Sequence, residues 1–175
     1  MHSNTHHPRC IWFTGLSGAG KSTIAQAVFA QLSAQGRLAY VLDGDLLRNG
    51  LNRDLGFTAH DRTENVRRVA EVARLMINAG VTVLVALISP FEADRMKARA
   101  LFPEGQFHEV FVDAPLTVCM RRDVKGLYAK AEQGAVPAMT GISSPYESPT
   151  HPDVHLLSDI DSLDHCVAQV MRLLG

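Results

Sequence analysis

No apolar run in this 175-residue chain approaches the roughly 18 residues that a helix needs to cross a bilayer, so no membrane partner is expected. The opening MHSNTHHPR lacks the apolar centre of a secretory signal, which makes the cytoplasm the expected location. Cysteine is scarce. Cys10, Cys119 and Cys166 make an odd count without a CxxC pair, which argues against a disulfide framework or a zinc site and leaves packed thiols. Excess charge is missing too: a formal net charge of -1 speaks against nucleic-acid binding by a basic surface. His2, His6 and His7 lie in a polar terminus, residues 1–8, where disorder is expected in preference to a metal site. Repeats, low-complexity stretches and linkers are absent, so residues 1–175 read as one domain.

What the chain does have is enough apolar residue, 46% of the total, for a sizeable core. It falls into two alternating periods. Short runs at Ile11 to Thr14, Ala39 to Leu42, Val81 to Ile88, Val110 to Val112 and Val154 to Leu157 predict strands buried on both faces. Helical patterns lie between and after them, at about Lys21 to Gln35, Asp61 to Ala79, Glu92 to Leu101, Pro115 to Arg122 and Asp161 to Leu174. In the second of these, Val66, Val69, Ala70, Ala73, Met76 and Ile77 recur on one face, Thr58 and Asp61 fit a loose capping box, and Gly80 supplies a stop. Alternation of this kind predicts an α/β fold with a mainly parallel five-stranded sheet covered on both sides, its ligand sites beyond the carboxyl ends of the strands. From about Val124 to Pro152 the periodicity stops and Gly and Pro accumulate; residues 124–152 are read as a substrate lid.

Between the first strand and the first helix stands GLSGAGKST, Gly15 to Thr23, a full match to G-x-x-x-x-G-K-[ST]. Backbone N–H groups can wrap a phosphate chain only where side chains leave room and the turn can take positive φ, which calls for glycine. The helix N-terminus that follows adds partial positive charge. Gly15, Leu16, Ser17, Gly18, Ala19, Gly20, Lys21, Ser22 and Thr23 are thus the expected cradle for ATP, with Lys21 on the β- and γ-phosphates and Ser22 as the Mg2+ ligand. A GTPase would need an Asn-Lys-x-Asp stretch to read its base, and none occurs. A motor would usually need more chain. Small-molecule kinase remains.

The stretch DGDLLRNGLNRDLGF, residues 43 to 57, begins where the second strand should end, at the ligand edge. Phosphoryl transfer needs a carboxylate near the attacking hydroxyl, and Asp45 is the candidate, either as base or through the magnesium shell. Asp43 or Asp45 as a turn former around Gly44 is the alternative. Arg48, Arg53, Arg62, Arg67 and Arg68 follow closely, a density that suits paired recognition of an anionic acceptor. Arg62 and Asn65 share a helix face. Ser89, in ALISP, ends the third strand on the same edge, to orient phosphate or to cap the next helix.

Together with DRTENVRRVAEVA, ISPF, ADR, VFVDAPL, RDVKGLY and TGISSPYE, these blocks resemble the adenylyl-sulfate (APS) kinase family over Cys10 to Leu157. That resemblance implies a P-loop kinase fold, usually dimeric, and transfer of the γ-phosphate of MgATP to the 3'-hydroxyl of adenosine 5'-phosphosulfate, giving 3'-phosphoadenosine 5'-phosphosulfate and ADP. It also implies an acceptor site at Asp45, Arg48, Phe57, Arg62, Asn65, Ile88, Ser89 and Lys125, with Phe57 stacked on the acceptor's adenine, and functional coupling to ATP sulfurylase is a further expectation. Lys21, Asp45 and Ser89 form the expected catalytic set. A phosphorylated serine is often described at the position of Ser89 in bacterial members, but direct in-line transfer needs no such intermediate. Two departures stand out: Leu46 where the family has Asn, and Met139 where it has an aromatic, so that a thioether would cover the acceptor's purine. A kinase of another small metabolite, and a nucleotide-binding regulatory module, are the competing readings.

Overall fold

The computed structural model describes residues 7–123, 126–132 and 139–175, so Lys125 and most of the terminus expected to be disordered lie outside the described residues. Along the chain run β1 (Cys10–Thr14), α1 (Lys21–Ala34), β2 (Ala39–Asp43), α2 (Gly44–Asn49), α3 (Ala59–Asn78), β3 (Thr82–Ala86), α4 (Glu92–Arg99), β4 (Phe107–Asp113), α5 (Leu116–Arg122), α6 (Leu127–Glu132), β5 (Val154–Leu157) and α7 (Leu163–Arg172). The sheet order is β2-β3-β1-β4-β5 and every pairing is parallel, so β1 is central. That is the α/β architecture of the P-loop kinases the sequence predicts.

All five residues of β1 are buried, and their alternation feeds two cores. Ile11 and Phe13 pack on one side with Ile24, Val28 and Leu32 of α1 and Val167 and Val170 of α7. Cys10 and Trp12 pack on the other with Val66, Val69 and Ala73 of α3 and Ala98 of α4. Each fully buried aliphatic side chain contributes on the order of 1.5–3 kcal/mol, so the strand that carries the glycine turn is held from both faces. α3 starts at the expected capping box: Thr58 accepts from the Asp61 N–H and Asp61 accepts in return.

The elements differ from the sequence expectation where local chemistry overrides apolar pattern. β3 stops at Ala86 rather than Ile88: the Leu87 N–H still donates to the Phe13 carbonyl at 3.2 Å, but Ser89 turns to φ 40 and Pro90 has no N–H for a ladder. β4 starts three residues early, at Phe107, since His108 and Glu109 pair in register with Ile11 and Trp12 despite their polarity. The two short helices have no periodicity to read, yet each has a carboxylate at its start. Asp43 accepts from the Asp45 N–H at 3.0 Å, and Asp123 from the Tyr128 and Ala129 N–H groups at 3.1 Å each. Within the expected lid, residues 139–152 run across the body of the domain, with Met139 and Thr140 buried and the Tyr146 hydroxyl 3.0 Å from Thr14 Oγ1. No helix among the described residues is long and apolar enough to cross a membrane. Cys10, Cys119 and Cys166 are free and buried, and burial pushes all three thiols up.

Candidate active site

A cleft of about 510 Å3 opens at the carboxyl edge of the sheet. Its floor is the turn between β1 and α1. At Gly15 (φ +147) a Cβ would lie 2.2 Å from the Val112 carbonyl oxygen, and at Gly18 (φ +79) 2.9 Å from that of Cys119. The glycines are therefore required by close packing of the turn on β4 and α5 as well as by φ. Lys21 is buried, its Nζ donating to the Gly15 and Leu16 carbonyls at 2.9 and 2.7 Å. Ser17 through Thr23 line the cleft, whereas Gly15 and Leu16 stand behind it and shape the turn.

Ser22 Oγ donates to Asp43 Oδ2 at 2.5 Å. The other carboxylate oxygen of Asp43 caps α2, so one side chain fixes both the Ser22 hydroxyl and the helix bearing Asp45. Hard oxygen donors of this sort suit Mg2+, which takes one or two protein oxygens and draws its other ligands from water and phosphates. Among the described residues no group of three or more His, Cys, Asp or Glu could hold a metal alone, in keeping with that mode. Asp45 is exposed in the first turn of α2 and lines the cleft.

Opposite the glycine turn, Arg48, Phe57, Arg62, Asn65, Ile88 and Ser89 line the other half of the same cleft. The Arg48 guanidinium lies 4.3 Å from the Phe57 ring centroid and that of Arg62 5.8 Å, a cation–π arrangement that puts two positive charges side by side. Burial pulls both guanidinium pKa values down, at Arg62 with the repulsion of Arg48 added. An anion would relieve that repulsion. Arg62 Nε donates to the Phe57 carbonyl at 3.0 Å and Arg48 Nη1 to the Gly56 carbonyl at 3.0 Å, so both forks are aimed by backbone. Asn65 Oδ1 accepts from Asn52 Nδ2 at 3.0 Å, which turns the amide nitrogen of Asn65 away from Asn52.

Not every expected arginine joins them. Arg67 and Arg68 pair with Glu64 at 2.7 and 2.9 Å, and Arg68 also with Asp54 at 2.8 Å; neither they nor Arg53 line the cleft. Met139 does line it and is 5% exposed, while Leu46 stands 59% exposed on α2 outside the lining. Ser89 is 3% exposed with φ 40, and its Oγ accepts from Trp12 Nε1 at 3.0 Å.

Several lining residues carry little sequence signal. Arg122 Nη1 donates to the Gly18 carbonyl at 3.2 Å and Nη2 to the Ser158 carbonyl at 2.8 Å, while Ser158 Oγ donates to the Ala19 carbonyl at 2.6 Å. Tyr128 OH donates to the Ser17 carbonyl at 2.8 Å. The buried Thr140 hydroxyl, in the cleft lining, has no hydrogen-bond partner among the described residues.

This geometry matches known proteins closely. The chain is 56% identical over 164 residues to the adenylyl-sulfate kinase of Burkholderia ambifaria, covering 94% of this chain and 91% of that protein. It is 57% identical over 168 residues to the bifunctional enzyme CysN/CysC of Xylella fastidiosa, covering 96% of this chain but spanning only 27% of the relative. Among solved structures, that of the Mycobacterium tuberculosis APS kinase CysC in complex with AMPPNP and APS superposes with a TM-score of 0.92 at 49% identity, over 96% of this chain and 98% of that one. The profile of the adenylylsulphate kinase family matches residues 7–157, and the chain belongs to that family.

Proposed function

We propose that this protein transfers the γ-phosphate of MgATP to the 3'-hydroxyl of adenosine 5'-phosphosulfate, producing 3'-phosphoadenosine 5'-phosphosulfate and ADP. The observation that carries this reading is one continuous cleft in which a phosphate-binding turn shares the lining with a buried and a partly buried arginine beside an aromatic ring. Ser17 to Thr23 hold the triphosphate, and Lys21 neutralises charge on the transferring group. Ser22, oriented by Asp43, would hold Mg2+. When bound, the ion would offset the negative charge of the phosphates. This division leaves Asp45 as the carboxylate for the attacking hydroxyl.

On the acceptor side Arg48 and Arg62 bind the phosphosulfate oxygens, Asn65 offers its amide nitrogen, and Phe57 and Met139 cover the adenine. Direct in-line transfer needs no covalent serine intermediate, and Ser89, whose Oγ accepts from Trp12, is read as an orienting residue. Lys125 would add charge from the lid. The resemblance favours a homodimer and coupling to a sulfurylase, the Xylella relative, named a bifunctional enzyme, is consistent with a second linked activity, and the lack of an apolar signal favours the cytoplasm.

Purified protein given MgATP and adenosine 5'-phosphosulfate should release ADP and the 3'-phosphorylated product. Asp45→Ala should abolish turnover while calorimetry still detects ATP binding. Full activity of that variant would overturn the assignment of the acceptor side.

A further inference from the structure

Two sequence blocks, ADR (Ala93 to Arg95) and SPYE (Ser144 to Glu147), take no direct part in the cleft's chemistry, yet the fold brings them together. Arg95 is 2% exposed and engages every arm of its guanidinium. Nε donates to Glu109 Oε1 at 2.6 Å, Nη1 to the Ser89 carbonyl at 2.8 Å and Nη2 to the Glu147 carbonyl at 2.8 Å. Glu147 reaches back to the same loop: its N–H donates to the Pro90 carbonyl at 2.8 Å, and its carboxylate accepts from the Glu92 N–H at 2.7 Å. Phe91, the N-cap of α4, has no side chain able to cap, so the missing cap comes from Glu147, 55 positions away. Tyr146 completes the set through Thr14, whose hydroxyl also donates to the Ile88 carbonyl at 2.7 Å.

Three successive carbonyls, those of Ile88, Ser89 and Pro90, are therefore each held, by β1, by α4 and by the 139–152 segment respectively. Ser89 sits between them with φ 40, the one described non-glycine residue in the left-handed region. An L-residue leaves that conformation unless its surroundings over-determine it. A buried ion pair such as Arg95 with Glu109 is a weak source of stability compared with apolar packing, so its contribution is better sought in placement.

We propose that Arg95, Tyr146 and Glu147 are positioning residues that clasp the 88–90 turn and thereby set acceptor affinity, without touching either nucleotide. The proposal rests on the acceptor half of the cleft assigned above. Its logic is that Ile88 and Ser89 line the acceptor half of the cleft, while the hydrogen bonds of Arg95 and Glu147 given above go to Glu109, to the 89–92 loop and to each other rather than to Ser17 through Thr23; Tyr146 joins the turn through Thr14 of β1.

Arg95 variants leave Glu109 with only the 3.9 Å contact to Arg99 and can fail to fold, so the test uses Tyr146 and Glu147. Steady-state kinetics of Tyr146→Phe and Glu147→Ala should show the acceptor KM raised about three- to tenfold, with the KM for MgATP within about twofold of wild type. Glu147→Gln keeps an oxygen for the α4 cap and should stay within about twofold of wild type in both. Equal changes in the two KM values, or no change in either, with an active wild type would overturn this proposal alone. A wild-type protein unable to phosphorylate the acceptor would overturn the functional reading and this proposal with it.

Discussion

The sequence reads Asp43 as a turn former and assigns the magnesium-shell carboxylate to Asp45, but the structure gives Asp43 two contacts: one of its oxygens caps α2 and the other holds Ser22. Replacing it with Asn retains an oxygen for the cap but removes both the charge and the second oxygen that accepts from the Ser22 hydroxyl. Asn and Asp cap about equally well, so the stability cost should stay well under the ~1 kcal/mol of a lost cap. For a chain of this length even that full loss would move Tm by only about 2–4 °C. The chemical cost should be larger: removing a carboxylate that orients a metal ligand typically weakens the metal by about 10–100-fold, equivalent to ~1.4–2.7 kcal/mol. Melting curves and ADP release measured while Mg2+ is titrated at saturating nucleotide distinguish the two. Asp43→Asn should melt within about 2 °C of wild type yet need about 10–100-fold more Mg2+ for half-maximal rate. A variant with the wild-type Mg2+ requirement and rate would show that Asp43 is a cap and nothing more.

Met139→Phe should lower the acceptor KM about three- to tenfold, since a second ring adds stacking energy of about 0.5–1.5 kcal/mol to the purine; an unchanged or higher KM argues against Met139 covering that face. Arg62→Ala should raise the acceptor KM by at least about tenfold, while Arg67→Ala, whose ion pair with Glu64 lies off the cleft, should leave it within about twofold. Equal effects from the two arginines would dissolve the distinction drawn between them. The pH dependence has a definite sign at Glu64, whose carboxyl hydrogen bonds from Arg67 and Arg68 hold at about 2, below its ordinary 4.5. Its small, solvent-screened contribution to stability is present above pH 4.5 and is lost as the pH falls towards 2, so Glu64→Gln should narrow the drop in Tm over that window. An identical drop in the variant would place the acid sensitivity elsewhere.

The glycine turn is legible in the sequence because its residues are contiguous and its neighbours are an apolar strand and a helix. The positive φ expected of the turn is present at Gly15 and Gly18; what sequence alone does not supply is the second reason for these glycines, since the atoms that exclude a side chain there belong to Val112 and Cys119, about a hundred positions away. The arginine cluster shows the same limit. Density suggests five anion-binding forks, but helix phase sorts them: Glu64 lies three and four positions from Arg67 and Arg68 and pairs with both, while Arg62 and Asn65 turn inward with Val66. That signal was present in the spacing. The links from Arg122 to Ser158 and from Tyr146 to Thr14 had none, because hydrogen bonds between residues 36 and 132 positions apart leave no periodic trace. β4 was shortened in the sequence reading for a related reason: Glu109 is polar but partnered by Arg95 across the fold.

Trp12 is the chain's single tryptophan, and its indole N–H is bonded to the Ser89 hydroxyl on the rim of the cleft. The central strand thus contains its own optical reporter. Any event that shifts the serine changes the polarity at the indole nitrogen, so emission wavelength can follow acceptor docking in the unlabelled protein, with no second fluorophore of its class to blur the signal.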